Sequence, residues 1–317
     1  MMINRSTSSY YLILPLVSGF IYVGGALFLK RAAELGANVW RTARTCNFIT
    51  AAVFAPLLVL GGKMPLRELW WQPAVVAVLF VLGQVFTLLS LRIGDVSVAT
   101  PVLGLKIILV AIFTTFLIGE RITPSLWAAA MLSTVAVGLL QFSGASTHRH
   151  LGATIILAGL AAASYALVDV HVQKWAPTWG AGRFLPLTMG IAAVLTLALR
   201  PRSKERIGQS TGLERPWVIG GATCLALQAV LLVSTIAIYG QATLANVLYS
   251  SRGLWGVVAV WLVGGWFSNR EHRHGVRVLA WRLCGAALLM TAIVIVLLHK
   301  PKPAPGNGAS GQSAVAG

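Results

Sequence analysis

The chain is 317 residues long and 57% hydrophobic, with only 10% of its residues charged and a mean hydropathy of +0.78. Soluble domains carry about 25% charged residues, so this chain cannot cover itself with polar surface and is excluded from the soluble globular class. Its net charge of +17 does not mark a nucleic-acid binder. The basic residues fall in short links between apolar runs, as in cytoplasmic loops of membrane proteins, and not on one folded face.

A helix needs ~20 apolar residues to cross the hydrocarbon core, where only internally hydrogen-bonded backbone is stable. Residues 1–9 lead into the first such run with no small-residue cleavage site, so no signal peptide is expected. Ten runs follow in chain order: 10–29, 39–60, 70–91, 96–118 and 123–142, then 151–172, 182–199, 216–238, 242–264 and 277–298. The fold class expected is therefore an all-α integral membrane protein of ten transmembrane helices. Breakers separate the runs, among them Gly61-Gly62, Gly94-Asp95, Pro177 and Pro201. The tail at 300–317 is rich in Pro, Gly and Ser and is expected to be disordered. Cys46, Cys224 and Cys284 stand far apart beside or within apolar runs. They have no metal or redox spacing and are expected to be small buried hydrophobes. No metal or other cofactor is expected.

The two halves echo each other. Setting Tyr22 on Tyr165 brings Lys30-Arg31 onto Gln173-Lys174, Arg44 onto Arg183 and Gln84 onto Gln228. Gly94 then falls on Gly240, Ala99 on Ala245 and Lys106 on Arg252. The boundaries expected are 1–146 for one five-helix repeat, 147–299 for the second and 300–317 for the tail. Five spans per half is an odd number, so the halves would lie in opposite orientations. Inverted repeats of that kind mark secondary transporters, with the site between the halves.

The stretch LRIGDVSVATPVLGLKIILVAIFTTFLIGERIT, with AVGLL ending at Leu140, resembles the EamA-type members of the drug/metabolite transporter superfamily. Carrying the likeness are the small residues before the fourth run, Pro101 within it, the Gly119-Glu120 exit and Gly138. The resemblance spans about residues 10–298. It implies ten helices in two inverted five-helix repeats and the export or uptake of small metabolites. The second half departs from the pattern, because GGWFSNRE displaces the expected exit glutamate to Glu271.

Charges inside the runs are few, which makes each informative. Lys106 and Arg252 each lie about ten residues from either end of a run, roughly 15 Å from the interface. That is beyond the reach of a snorkelling side chain, and a basic group there costs about 2.5–3.5 kcal/mol. Two cations at repeat-related positions point to an anionic or zwitterionic ligand; for Lys106 the alternative is an ion pair that orders helices. Tyr249 and Trp255 lie three residues either side of Arg252 and are expected on its face. There the rings would hold an apolar or planar ligand part, although Trp255 could equally be ordinary packing. Gln84 and Gln228 would bind substrate or glue helices.

Asp169 is the one acidic residue well inside a run, and it shares a face with Tyr165 and Gln173. It is the proton-coupling candidate: burial favours a protonated carboxyl and an approaching cation favours the carboxylate. A static ion pair is the alternative. His171, Arg44 and Arg183 are expected to anchor at the interface.

The function expected is a secondary transporter of a small, anionic or zwitterionic metabolite by alternating access, monomeric or homodimeric, in the plasma (inner) membrane. The competing reading is a membrane-embedded enzyme or lipid-modifying protein with an interfacial site, but the basic histidine clusters at 148–150 and 271–274 lack the HExxH spacing. A channel would need polar rings along a pore, and no P-loop for ATP-driven transport occurs. Basic residues concentrate in the odd-numbered links, which places both termini outside by the positive-inside rule; the family likeness favours the reverse.

Overall fold

The computed structural model describes residues 10–93, 96–140, 150–197, 212–263 and 276–298, all of them helical or in the turns between helices. The expected tail at 300–317, residues 148–149 and 271–274 of the histidine clusters and the basic links at 198–211 and 264–275 lie outside the described residues.

Helix α1 (Tyr10–Glu34) is followed by α2 (Val39–Phe54), which tightens into a 3-10 segment at Ala55–Leu60. The Asn38 side chain caps α2, accepting from the Trp40 and Arg41 N–H groups. Helix α3 (Trp71–Ile93) precedes α4 (Val96–Leu103), α5 (Lys106–Phe113) and α6 (Pro124–Leu140). The second half holds α7 (Leu151–Trp179), α8 (Ala181–Leu197), α9 (Arg215–Tyr239), α10 (Ala242–Tyr249), α11 (Arg252–Val263) and α12 (Val276–Leu298). Among the described residues, seven helical segments are long and apolar enough to cross a membrane, and α6 and α8 are shorter apolar helices. The chain is an integral, multi-pass membrane protein.

Two expected runs differ from the straight helices that hydropathy suggests. The fourth divides into α4 and α5 at Gly104-Leu105, and the ninth into α10 and α11 at Ser250-Ser251. The breaks share one hydrogen-bond pattern. The Gly104 N–H reaches the carbonyls of Thr100 and Pro101, as Ser250 reaches Asn246 and Val247; Leu105 bonds Val102 as Ser251 bonds Leu248. The pattern continues beyond the breaks, Ile107 to Gly104 matching Gly253 to Ser250, and Leu109 to Leu105 matching Trp255 to Ser251. Each pair is separated by the same offset that sets Lys106 on Arg252. Hydropathy cannot register such breaks, because tightening the turn keeps the backbone bonded while the side chains stay apolar.

Packing exchanges partners between the halves. Helix α1 lies along α9, and α7 lies along α3; α2 meets α8, and α6 meets α12. Helix α7 is the hub, touching α3, α4, α5 and α9. Its Val168, Val170, Val172 and Trp179 are buried in the main apolar cluster with Phe184, Ile236 and Tyr249. All eight residues of α10 are buried. Outward-facing apolar side chains, such as Val59 at 90% and Phe116 at 80% exposed, are what lipid contact requires. The expectation of buried cysteines fails: Cys46 and Cys224 are half-buried, and Cys284 is exposed on α12. Where lipid is the solvent, a weakly polar thiol has no reason to turn inward.

Candidate functional site

Lys106 opens α5 and Arg252 opens α11, each immediately after a helix break. The Lys106 ammonium lies 2.7 Å from Asp169 Oδ2, and the Asp169 side chain is only 4% exposed. Asn246 Nδ2 donates to the same carboxylate oxygen at 2.7 Å and also to the Ala242 carbonyl at 2.9 Å. Asp169 is thus held by a cation from one half and an amide from the other. Pairing and hydrogen bonding are the conditions under which a buried charge is tolerated.

The Arg252 guanidinium stacks between two tyrosines, 4.7 Å from the Tyr22 ring centroid and 4.6 Å from that of Tyr249. It also donates to the Tyr249 hydroxyl at 3.1 Å. Among the described residues no carboxylate pairs with it. Lys106, Arg252, Tyr249, Asn246 and Gly104 line one small cavity at the breaks. Gly104 is needed there: a Cβ would stand 2.7 Å from Val137 Cγ1 on α6.

The remaining sequence candidates fall elsewhere. Trp255, expected on the Arg252 face, is 40% exposed and packs edge-on against Phe20, with ring centroids 5.3 Å apart. The Arg252 side chain reaches across the break toward Tyr22 and Tyr249, so the three-residue spacing does not bring Trp255 to the same partners. Gln84 makes a reciprocal amide pair with Asn47 of α2, both bonds 2.8 Å. Gln228 accepts from the Ser18 hydroxyl of α1 through its carbonyl at 2.8 Å and its side chain at 3.2 Å. These contacts tie helices together. His171 stacks on Trp175, with centroids 4.4 Å apart, and Arg183 stands at the start of α8. Arg44 lies in the second turn of α2.

Three residues outside the sequence candidates also take part: Asn246, Tyr22 and Glu120. Asn246 is a lone amide in the buried α10, a signal of the kind that marks polar groups in membrane helices. Tyr22 served only as a repeat marker. Glu120 belonged only to the Gly119-Glu120 motif. Gly119 takes the left-handed conformation (φ 76°) after the π-turn Thr114–Ile118, where a side chain would be strained. Gln173 Nε2 donates to Glu120 Oε2 at 2.6 Å, while its Oε1 accepts the Ala242 N–H at 2.8 Å. The next residue, Lys174, donates to the Leu117 carbonyl at 3.0 Å. Asp169 and Gln173, one turn apart on α7, therefore hold Asn246 and Ala242, one turn apart on α10.

Burial raises the Glu120 carboxyl above its ordinary value of 4.5, and the Gln173 donor opposes that rise. The folded protein then binds this proton more tightly than the unfolded chain. The resulting stabilisation is full below about 4.5 and is lost as pH rises through the folded-state value. Glu120→Gln is expected to flatten that part of the curve of unfolding midpoint against pH. Parallel curves for wild type and variant would remove Glu120 as the cause.

Comparison with known proteins adds a family and a fold. Residues 9–142 match the EamA-like transporter family, which lies within the drug/metabolite transporter superfamily. No curated protein matches the sequence. One solved crystal structure of a protein is 16% identical, with a TM-score of 0.66, covering 92% of this chain and 99% of that one. At that identity the likeness speaks for the fold alone.

Proposed function

We propose, for a chain whose residues 9–142 belong to the EamA-like transporter family, that it is a secondary transporter moving a small anionic metabolite by alternating access. The observation that carries this reading is the shared cavity: Lys106 and Arg252, one from each half, line it at two helix breaks with the same hydrogen-bond pattern. Interrupted helices at the centre of two repeats are where transporters place their substrate. The exchange of partners between α1–α9 and α3–α7 supports ten spans in two inverted repeats. In such a scheme one repeat rocks against the other and exposes the cavity to each side in turn. Asp169 would carry the coupling proton when Lys106 turns from it toward the substrate. An even number of spans returns the chain to its starting side, so both termini share a face of the membrane. By the positive-inside rule that face is the outer one.

The test is counterflow in proteoliposomes loaded with amino acids, carboxylates, nucleosides or sugars. Saturable exchange of one class is expected, reduced at least about tenfold in Lys106→Gln and Arg252→Gln, as loss of one charge-assisted contact predicts. Exchange unchanged in both variants would place the site elsewhere. No exchange of any class would argue against a transporter.

A further inference from the structure

The charges at the cavity can be counted. Lys106 and Arg252 contribute two positive charges and Asp169, bound to Lys106, one negative charge. Asn246 and Tyr249 are neutral. The nearest other acidic group in this network, Glu120, is engaged by Gln173 at the opposite end of α10, roughly 12 Å of helix away. Among the described residues the cavity therefore carries one uncompensated positive charge, on Arg252. That guanidinium spends one of its five N–H donors on the Tyr249 hydroxyl, leaving donors for a planar bidentate anion. Both tyrosine ring faces next to it are already taken by the guanidinium itself.

The rest of the wall is apolar Leu103, Ile107 and Val137, with Gly104 and with Ser250, whose hydroxyl is spent on the Val247 carbonyl. Among the described residues the one carboxylate an ammonium group on a ligand would meet is Asp169, already held by Lys106 and Asn246 at 2.7 Å each. A second ligand carboxylate would stand as an unpaired negative charge in the membrane interior, a disadvantage of roughly a hundredfold.

Resting on the transporter reading above, we infer that the substrate is a small apolar monocarboxylate, with its carboxylate on Arg252 and its hydrocarbon body against Leu103, Ile107 and Val137. Zwitterions and dianions are discriminated against by charge, and neutral analogues by the unpaired guanidinium they leave behind.

Four probes share an isobutyl body and differ in charge: 4-methylpentanoate, its amide, leucine and isobutylmalonate. Their binding to the purified full-length protein is measured by thermal stabilisation. The monoanion is expected to bind at least about tenfold more tightly than the other three. Asp169→Asn raises the site's charge by one and is expected to move the preference to isobutylmalonate. Combining Lys106→Gln with Asp169→Asn removes one charge of each sign and is expected to recover the wild-type order. Leucine or isobutylmalonate binding wild type most tightly, or no stabilisation by 4-methylpentanoate, would overturn the assignment. So would an order indifferent to Asp169→Asn in folded protein. Wild type alone decides the class if a variant fails to fold. Counterflow separates the two levels. Exchange of another solute class without 4-methylpentanoate sinks the monocarboxylate and leaves the transporter; absence of all exchange sinks both.

Discussion

Lys106→Gln is expected to cost about 3–5 kcal/mol of stability, and the added change Asp169→Asn to restore most of it. Lys106 is the only cation paired with Asp169 among the described residues, at 2.7 Å, and that carboxylate is almost wholly enclosed. Without the ammonium, Asp169 keeps one neutral donor, Asn246, which cannot offset the burial of a full charge. Removing both charges leaves two amides near Asn246, an arrangement that needs only hydrogen bonds. The measurement is the unfolding free energy in detergent of wild type, both single variants and the double variant. A single Lys106→Gln change no worse than the double would show that the pair carries no net interaction.

The second large effect is steric and lies at the contact between α12 and α6. A Cβ on Gly285 of α12 would stand 2.9 Å from the Ala136 carbonyl and the Leu140 nitrogen of α6, and 3.0 Å from Leu139 Cβ. Two of those neighbours are backbone atoms and cannot rotate away, so Gly285→Leu must push the helices apart. We expect a loss of about 3 kcal/mol, with Gly285→Ala at the lower end of the overpacking range of about 1–3 kcal/mol. Small residues at such crossings are how membrane helices approach without a hydrophobic drive. Gly220 is the contrast: the nearest atom to its Cβ is in the Phe28 ring at 3.8 Å. Gly220→Ala should therefore be neutral or stabilise by up to about 1 kcal/mol through helix propensity. Equal losses at both glycines would refute the contact argument.

Hydropathy made the apolar runs legible because each is dictated by a single demand, the shielding of backbone from lipid. It also exposed Lys106, Asp169 and Arg252, since charge is rare enough there for each instance to stand out. The pairing of Lys106 with Asp169 was within reach as an ion-pair alternative. Periodicity reached its limit at the breaks. Tyr249, Arg252 and Trp255 share a face only on an uninterrupted regular helix, and at Ser250-Ser251 the turn tightens. What replaced Trp255 beside the guanidinium was Tyr22, more than two hundred positions away in sequence, a partner that only packing between α1 and the second half can supply. Gln84 and Gln228 looked alike in sequence, yet their partners, Asn47 and Ser18, lie on different helices. Local spacing carries no information about such contacts.

The paired contacts between α7 and α10 constrain how this protein can move. Asp169 meets Asn246 and Gln173 meets the Ala242 N–H, so the two helices are pinned like the rungs of a short ladder. Sliding one helix along the other by a turn, about 5.4 Å, would break both rungs together and leave the buried Asp169 carboxylate with Lys106 alone. Tilting about them breaks neither. The ladder therefore acts as an axle. Helix α10 should travel with α7 as one body; α5 is held to α7 as well, through Lys106 and Asp169, so a displacement that opened the cavity would fall on α11 or have to part that ion pair.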